Sequence, residues 1–352
     1  MRPRIWSTPA GALLLALALC HPACNPDNDL VLADAALGDD AAKATKALLV
    51  ERAEALHDSV VALCAAAPAP AEGGWVHPRD DAAIKAMIAA WHNARKAGAG
   101  LEGALALLPP GRAADIQGAY ETALEAGPDP DPFDDRGFIG LHAMERVIWA
   151  ERVPAPVLAY EASLDGYAAP AFPADAEQAE HFRDKLCARA AADTGAAEAE
   201  IEAMSLDPQA AYAIVDHLAD GQLVKLEAAG AHRGSARYAG YALTDLRDGL
   251  ATAAAVHAVF RPWLATKASG PQAFEEVTKA IARLEKQYTA VGTDALPPVP
   301  EGWSNSSFSE ESLSTPFGRL FAVVHNETDS SLDGSLTHGW HACAGLLGID
   351  GE

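Results

Sequence analysis

Apolar residues recur at helical spacing through most of the chain, in segments that are rich in alanine. The clearest series are Leu49, Ala53, Leu56, Val60 and Leu63, then Ile84, Met87, Ile88 and Trp91, then Ile116, Tyr120 and Leu124, and then Phe274, Val277, Ile281, Leu284 and Tyr288. Asp207 followed by Pro208 is typical of a helix start, with an N-cap before proline at the first helical position. FAVV at 321–324 is the one run that suggests a strand. The pattern therefore predicts an all-α fold.

Proline clusters interrupt these helical stretches. They lie at 68–70, 128–132, 154–173 and 297–300. The third cluster leaves about four helices on each side, which predicts two helical bundles joined by a proline-rich connection. We expect an N-terminal bundle over 40–153, a C-terminal bundle over 174–292, and a Ser/Gly/Pro-rich tail over 293–352 whose segments NSSFSEES and TDSSLDGS form loops.

Residues 1–24 read MRPRIWSTPAGALLLALALCHPAC and predict a signal peptide. Two arginines precede an apolar core that is too short to cross a bilayer as a helix. Two processing routes are open, cleavage by an ordinary signal peptidase or lipid attachment to Cys24, which precedes the polar stretch NPDND as in bacterial lipoproteins. The leader predicts an exported protein, either periplasmic or a cell-envelope lipoprotein with its membrane anchor at Cys24.

The charge balance narrows the classes of partner. The chain has 26 basic and 49 acidic residues, a formal net charge of −23. Because so acidic a protein repels phosphates, we expect no nucleic-acid partner. Metal cations and proteins with basic surfaces suit it better, although solubility alone also explains the charge.

Cysteine usage is sparse beyond the leader. Cys64, Cys187 and Cys343 lie far apart and form no CxxC motif. They allow one disulfide and one free thiol in an oxidising compartment, and the sequence does not choose the pair.

The segment GLHAMERVIWA at 140–150 places His142 and Glu145 in an otherwise apolar run. The His-x-x-acid spacing occurs four times in the chain, so the spacing alone has little weight. In this segment, however, the remaining helix faces are apolar and the helix should be buried. A buried glutamate must be paired or bound, because an unpartnered buried charge is very costly. Either Glu145 pairs with Arg146 or another arginine, or the two residues form half of a metal site whose other ligands come from other helices.

Several segments together resemble the imelysin-like family. GLHAMERVIW resembles its GxHxxE motif, with Gly140, His142 and Glu145 in the motif positions. AWHNARKAGAGLEGAL at 90–105 resembles the family's Trp-x-x-Ala-Arg segment and the acidic residue after it, placing Trp91, Arg95 and Glu102. DPFDDRGF is similar to the Pro-Leu-Asp segment and offers Asp134 and Asp135, and YALTDLRDGL at 241–250 resembles the Asp-Leu-Arg segment.

The resemblance implies an exported two-bundle protein of bacterial iron acquisition. Its metal site would be formed by His142 and Glu145 with carboxylates from Glu102, Asp134 and Asp135, and its partner would be a membrane iron-transport component. Histidine and carboxylate ligands suit iron, manganese or zinc, so we expect a divalent or ferric ion, with iron favoured by the family.

Some members of that family are classed as metallopeptidases, and this activity is the alternative function. The chain lacks HExxH, which supplies ligands and a general base from one helix, so we favour a binding protein over an enzyme. A smaller cluster, His338, His341 and Cys343 in THGWHACAG, is the other metal-capable group and would contact haem or copper.

Overall fold

The computed structural model describes residues 26–127, 129–234 and 236–349. Within these ranges the chain forms helices joined by turns and loops, without strands, which confirms the all-α prediction. The helices are α1 (Pro26–Ala66), α2 (Asp81–Leu105), α3 (Arg112–Gln117), α4 (Tyr120–Glu125), α5 (Gly140–Ile148), α6 (Ala155–Glu161), α7 (Ala176–His181), α8 (Cys187–Ala203), α9 (Pro208–Gly230), α10 (Ala242–Val259), α11 (Arg261–Leu264), α12 (Gly270–Val291), α13 (Glu310–Ser314), α14 (Pro316–Thr328) and α15 (Leu336–Leu347). A π-helical turn, Phe182–Leu186, joins α7 to α8. The predicted leader and Cys24 lie outside the described residues.

Short polar side chains fix the starts of several helices. The Asp207 carboxylate accepts a hydrogen bond from the Ala210 backbone N–H at 2.7 Å, and Pro208 occupies the first position of α9. Asp175, Thr315 and Ser335 cap their helices in the same way. Each cap satisfies a backbone donor that the helix itself cannot satisfy. The predicted helix start at Asp207 is therefore confirmed.

Helices from both halves of the chain share one hydrophobic core. α1 packs along α2 and α8, and both α1 and α2 also contact α9 and α10. A disulfide joins Cys64 of α1 to Cys187 of α8, with a Cα–Cα distance of 5.6 Å. The predicted division at 154–173 assigned α1 and α8 to different bundles. The two bundles are in contact along α1 because this 41-residue helix is long enough to present apolar positions to helices of both halves.

The segment predicted as a tail contributes to the core. α14 and α15 pack against α9 and α12, and they bury Phe317, Phe321, Trp340 and Cys343 almost completely. The segment FAVV is part of α14, because its apolar residues continue a helical spacing rather than an alternation. Much of NSSFSEES and nearly all of TDSSLDGS lie outside helices, as expected. No helix among the described residues has the length and apolarity needed to cross a membrane.

Candidate functional site

Two glycines bring the start of α5 against the end of α3. Gly140 begins α5 with φ = +73°, and a Cβ atom there would lie 2.6 Å from the Ile116 carbonyl oxygen. Gly118 has φ = +91°, and its Cβ would lie 2.4 Å from the Ile139 carbonyl oxygen. Only glycine tolerates both the left-handed backbone and this close approach. Gly140 is therefore required for packing, two residues before His142.

α5 is buried around almost its whole circumference, as its sequence predicted. Trp91 of α2 donates a hydrogen bond from its indole N–H to the Leu141 carbonyl oxygen at 3.1 Å, and its ring packs against Trp149 with centroids 4.8 Å apart. These contacts fix α5 against α2.

His142 is half-buried, and its Nε2 atom is buried without a hydrogen-bond partner among the described residues. Burial lowers the pKa of His142 to about 3, and the positive charges of Arg95 and Arg237 lower it further in the same direction. The imidazole is therefore neutral at physiological pH. A neutral imidazole has one nitrogen that carries a proton and one nitrogen with a lone pair. A metal ion binds the nitrogen with the lone pair.

Glu145 is 1% exposed and has only one of its oxygens satisfied. Oε1 accepts a hydrogen bond from the Ala239 backbone N–H at 2.8 Å, whereas Oε2 is buried without a partner. Burial raises the pKa of Glu145 to about 8, although the Ala239 hydrogen bond and the charges of Arg95 and Arg237 act in the opposite direction. This shift favours the protonated carboxyl of Glu145 at neutral pH.

Arg146, a candidate partner for Glu145, points elsewhere. Its guanidinium donates a hydrogen bond to the Ala168 carbonyl oxygen and lies over the Phe138 ring, 5.3 Å from the centroid. Glu145 forms no ion pair with a basic side chain of the described ranges. The ion-pair interpretation of Glu145 therefore does not account for its burial.

A buried ion pair connects α2 to α10 beside this helix. Arg95 is fully buried, and both its Nε and its Nη2 bond the Asp245 carboxylate, with Nε 3.3 Å from Oδ1. Its Nη1 donates to the Gln117 side-chain oxygen. Arg95 Nη2 also lies 3.8 Å from Glu102, whose other oxygen binds Lys225 Nζ at 2.7 Å. Each basic group in this network faces an acidic one.

The loop between α9 and α10, residues 231–241, contacts α5 through the hydrogen bond from Ala239 to Glu145. Its Arg237 Nε lies 3.1 Å from the Glu161 carboxylate, and the Tyr238 hydroxyl donates to the same oxygen at 2.5 Å. Glu161 is fully buried at the end of α6. Two buried carboxylates, Glu161 and Glu145, thus hold this α9–α10 loop.

The predicted metal ligands do not all meet. His142 and Glu145 lie one turn apart on α5, while Glu102 belongs to the Arg95 and Lys225 network. Asp134 accepts a hydrogen bond from the Arg136 backbone N–H at 2.8 Å, and Asp135 is exposed. Over the described ranges, no three histidine, cysteine or acidic side chains are grouped as a metal site would require. Of the predicted set, only His142 and Glu145 carry buried side-chain atoms without hydrogen-bond partners in the described ranges.

The other predicted metal-capable group, His338, His341 and Cys343 on α15, makes contacts with different parts of the protein. His338 Nδ1 lies 3.1 Å from the Ser330 carbonyl oxygen, and His341 Nε2 lies 3.9 Å from Asp216. Cys343 is fully buried, and its pKa is raised to about 11 by burial. In the described part of the chain, no three metal-capable side chains are grouped there.

Sequence reasoning missed three residues that shape the site: Asp245, Glu161 and Arg237. Asp245 lies in the Asp-Leu-Arg segment. It precedes Gly249 and Leu250 by about one turn on an apolar helix face, and this position indicates that the carboxylate is buried. Glu161 and Arg237 carry no such signal, since both lie in segments of mixed polarity.

No protein-family model matches the chain, and no curated protein sequence matches it. The resemblance to the imelysin-like family therefore rests on the motifs quoted above and stays a prediction.

Proposed function

We propose that this chain is an exported metal-binding protein whose ion is held by His142 Nε2 and Glu145 Oε2. The main supporting observation is that both atoms are buried, lie one helical turn apart, and have no hydrogen-bond partner in the described residues. Buried polar atoms are nearly always satisfied, so two such atoms on adjacent turns of one helix call for a ligand. An ion between them would satisfy both.

The charges around the pair support a cation. Arg95 is matched by Asp245, Arg237 by Glu161, and Lys225 by Glu102. Glu145 has only a backbone N–H as its partner, so its ionised form would add one uncompensated negative charge to the interior. A bound cation compensates that charge and favours loss of the Glu145 proton.

Two protein ligands leave most of the coordination shell to water or to donor atoms of a bound molecule. Structural zinc sites, in contrast, are closed by four protein ligands. An open shell suits a protein that receives an ion and passes it to a partner. Nitrogen and oxygen donors suit iron, manganese or zinc, and the family resemblance favours iron, with a membrane iron-transport component as the partner.

Export is supported by the disulfide between Cys64 and Cys187, since such bonds persist mainly in oxidising compartments. We propose a periplasmic or cell-envelope location with a lipid anchor at Cys24. Mass spectrometry of the mature N-terminus tests the anchor, because a chain that begins elsewhere and carries no lipid would contradict it.

The metallopeptidase alternative needs a general base beside the ion in addition to its ligands. The neighbouring carboxylates are already ion-paired, Asp245 with Arg95 and Glu102 with Lys225, so neither is available as a general base. Binding is therefore the function that the geometry favours.

Calorimetric titration with ferrous, manganous and zinc ions tests the proposal. We expect one ion per chain, and loss of binding in His142→Ala and in Glu145→Gln. His181→Ala is the matched control, because His181 also belongs to a His-x-x-acid pair but bonds Asp131 and Lys185. Equal binding by the parent and both α5 variants would refute the site.

A further inference from the structure

A cavity of about 400 Å³ lies between the end of α12, the proline-rich segment 296–298 and the start of α14. Its volume falls within the range of small-molecule sites, roughly 300–1,000 Å³. Neither His142 nor Glu145 lines it, so the cavity is separate from the metal site proposed above.

Arg319 brings a permanent positive charge to this cavity. Among the described residues that line the cavity it is the one ionisable side chain, in a chain whose formal net charge is −23. Its Nη1 donates to the Ser314 carbonyl oxygen, which fixes the guanidinium at the start of α14. Its Nε and Nη2 groups bond no other residue of the described ranges, and no acidic side chain there forms an ion pair with it. The pair of N–H groups that recognises a carboxylate is therefore available.

Gln287 offers a second, neutral recognition group. Its side-chain amide lines the cavity and forms no hydrogen bond with another residue in the described part of the chain. Thr293, the other hydrogen-bonding side chain of the wall, already donates to the Ala295 carbonyl oxygen at 2.8 Å. A side-chain amide has both N–H donors and a carbonyl acceptor, as a peptide group does. Gln287 is therefore suited to pair with an amide group of a ligand.

The rest of the wall is mainly apolar, and part of it is rigid. Pro297, Pro298 and Pro316 line the cavity, and a proline ring fixes the backbone angle φ. These parts of the wall therefore lose little freedom when a ligand binds. Leu296 and Leu320 add aliphatic surface. A ligand that fits this cavity needs an apolar part beside its polar groups.

We propose that this cavity binds an N-acylated apolar amino acid, either free or as the C-terminal residue of a peptide. The carboxylate lies at Nε and Nη2 of Arg319, the amide group pairs with the Gln287 amide, and the apolar side chain lies against the proline and leucine wall. Each part of this ligand matches one feature of the cavity. A fatty acid, in contrast, has no group for Gln287, and inorganic phosphate has no apolar part.

Titration calorimetry with N-acetyl-leucine tests the proposal. We expect one molecule per chain, with an affinity at least about tenfold higher than that of N-acetyl-leucinamide, because a charge-assisted hydrogen bond replaces a neutral one. The compound 4-methylpentanoate, which lacks the amide group, should bind about two- to tenfold more weakly than N-acetyl-leucine. The peptide acetyl-Ala-Ala-Leu separates the two sources of ligand. Tighter binding than N-acetyl-leucine assigns a peptide, and equal or weaker binding assigns the free acylated amino acid.

Two substitutions assign the polar groups. Arg319→Met should remove the preference for N-acetyl-leucine over the leucinamide. Lys286→Met is the matched control, because it removes a positive charge from α12 outside the cavity, and it should keep that preference. Gln287→Leu should remove the advantage of N-acetyl-leucine over 4-methylpentanoate.

A third substitution tests the location. Ala290→Phe fills the cavity and should abolish binding, whereas Thr289→Phe should not, since Thr289 is exposed on the same helix and does not line the cavity. None of the substituted side chains is buried, so circular dichroism should show the parent fold in every variant. No binding of N-acetyl-leucine, equal affinity for its leucinamide, or unchanged binding in Ala290→Phe would overturn the proposal.

Discussion

Arg95 and Asp245 lie 150 residues apart in the sequence and form a doubly hydrogen-bonded ion pair in the core. Arg95 is 0% exposed and Asp245 is 1% exposed. The pair joins α2 to α10 and places a guanidinium close enough to α5 for its charge to lower the pKa of His142. The electrostatics of the candidate site therefore depend on a contact between the two halves of the chain.

Arg95→Met should destabilise the protein by about 3–5 kcal/mol, because it leaves the Asp245 carboxylate buried without its partner. Urea unfolding followed by circular dichroism measures the change. The double variant Arg95→Met/Asp245→Leu should lose clearly less stability than the sum of the two single variants, since neither charge then remains. Additive losses would mean that the two residues act independently.

Saturating metal should stabilise the protein by about 2.7 kcal/mol at a hundredfold excess over Kd. For a chain of this size the melting temperature should rise by roughly 4 °C. His142 is already neutral, so the proton that competes with the ion belongs to Glu145, and affinity should rise with pH up to about 8. Melting curves of the parent and His142→Ala at several pH values check this. A shift of equal size in the variant would exclude the α5 pair.

The metal-free protein should lose stability relative to Glu145→Gln as the pH rises from about 4.5 to about 8. The pKa of Glu145 is raised from its ordinary value of 4.5 to about 8, so between these values the folded chain holds a proton that the unfolded chain releases. Unfolding free energies of the two proteins in chelator, compared at each pH, cancel the contributions of other groups. A difference that stays constant with pH would show that Glu145 is ionised in the folded protein.

Replacing Cys64 and Cys187 by alanine should cost several kcal/mol. The residues are separated by 123 positions, and closing a loop of this length restricts the unfolded chain by roughly 4–5 kcal/mol in the chain-entropy model. Thermal unfolding of the double variant measures the loss. Cys343→Ala is the control for a buried cysteine outside the disulfide, and it should lose less stability than the double variant. If the double variant matched the parent in stability, the disulfide would not constrain the unfolded chain.

Gly140→Ala should destabilise the protein by at least about 2 kcal/mol, since the left-handed backbone and the contact with the Ile116 carbonyl both oppose a Cβ. Gly292→Ala is the control, because Gly292 has φ = +75° but open space around its Cβ position. The control should lose only about 1 kcal/mol. Equal losses at the two positions, measured by urea unfolding, would remove the close contact as a cause.

Sequence periodicity was sufficient for the helical class and for the burial of α5, because both depend on local spacing. The same spacing could not show that Arg95 meets Asp245 or that Glu161 meets Arg237, since these contacts depend on how distant helices pack. The segment 293–352 read as a tail because serine and glycine are frequent there, yet Phe317 and Trp340 are buried. Composition averaged over the segment concealed two short amphipathic helices.

In the α9–α10 loop the Ala239 N–H binds Glu145 and the Arg237 guanidinium faces Glu161, so one short segment contacts two buried carboxylates, on α5 and on α6. Thermodynamic linkage makes any influence between such places mutual. If loss of the Glu145 proton changes the position of Ala239 and this change reaches Glu161, a change at Glu161 must alter the proton affinity of Glu145 by the same factor. The α9–α10 loop is therefore the contact through which such coupling would pass.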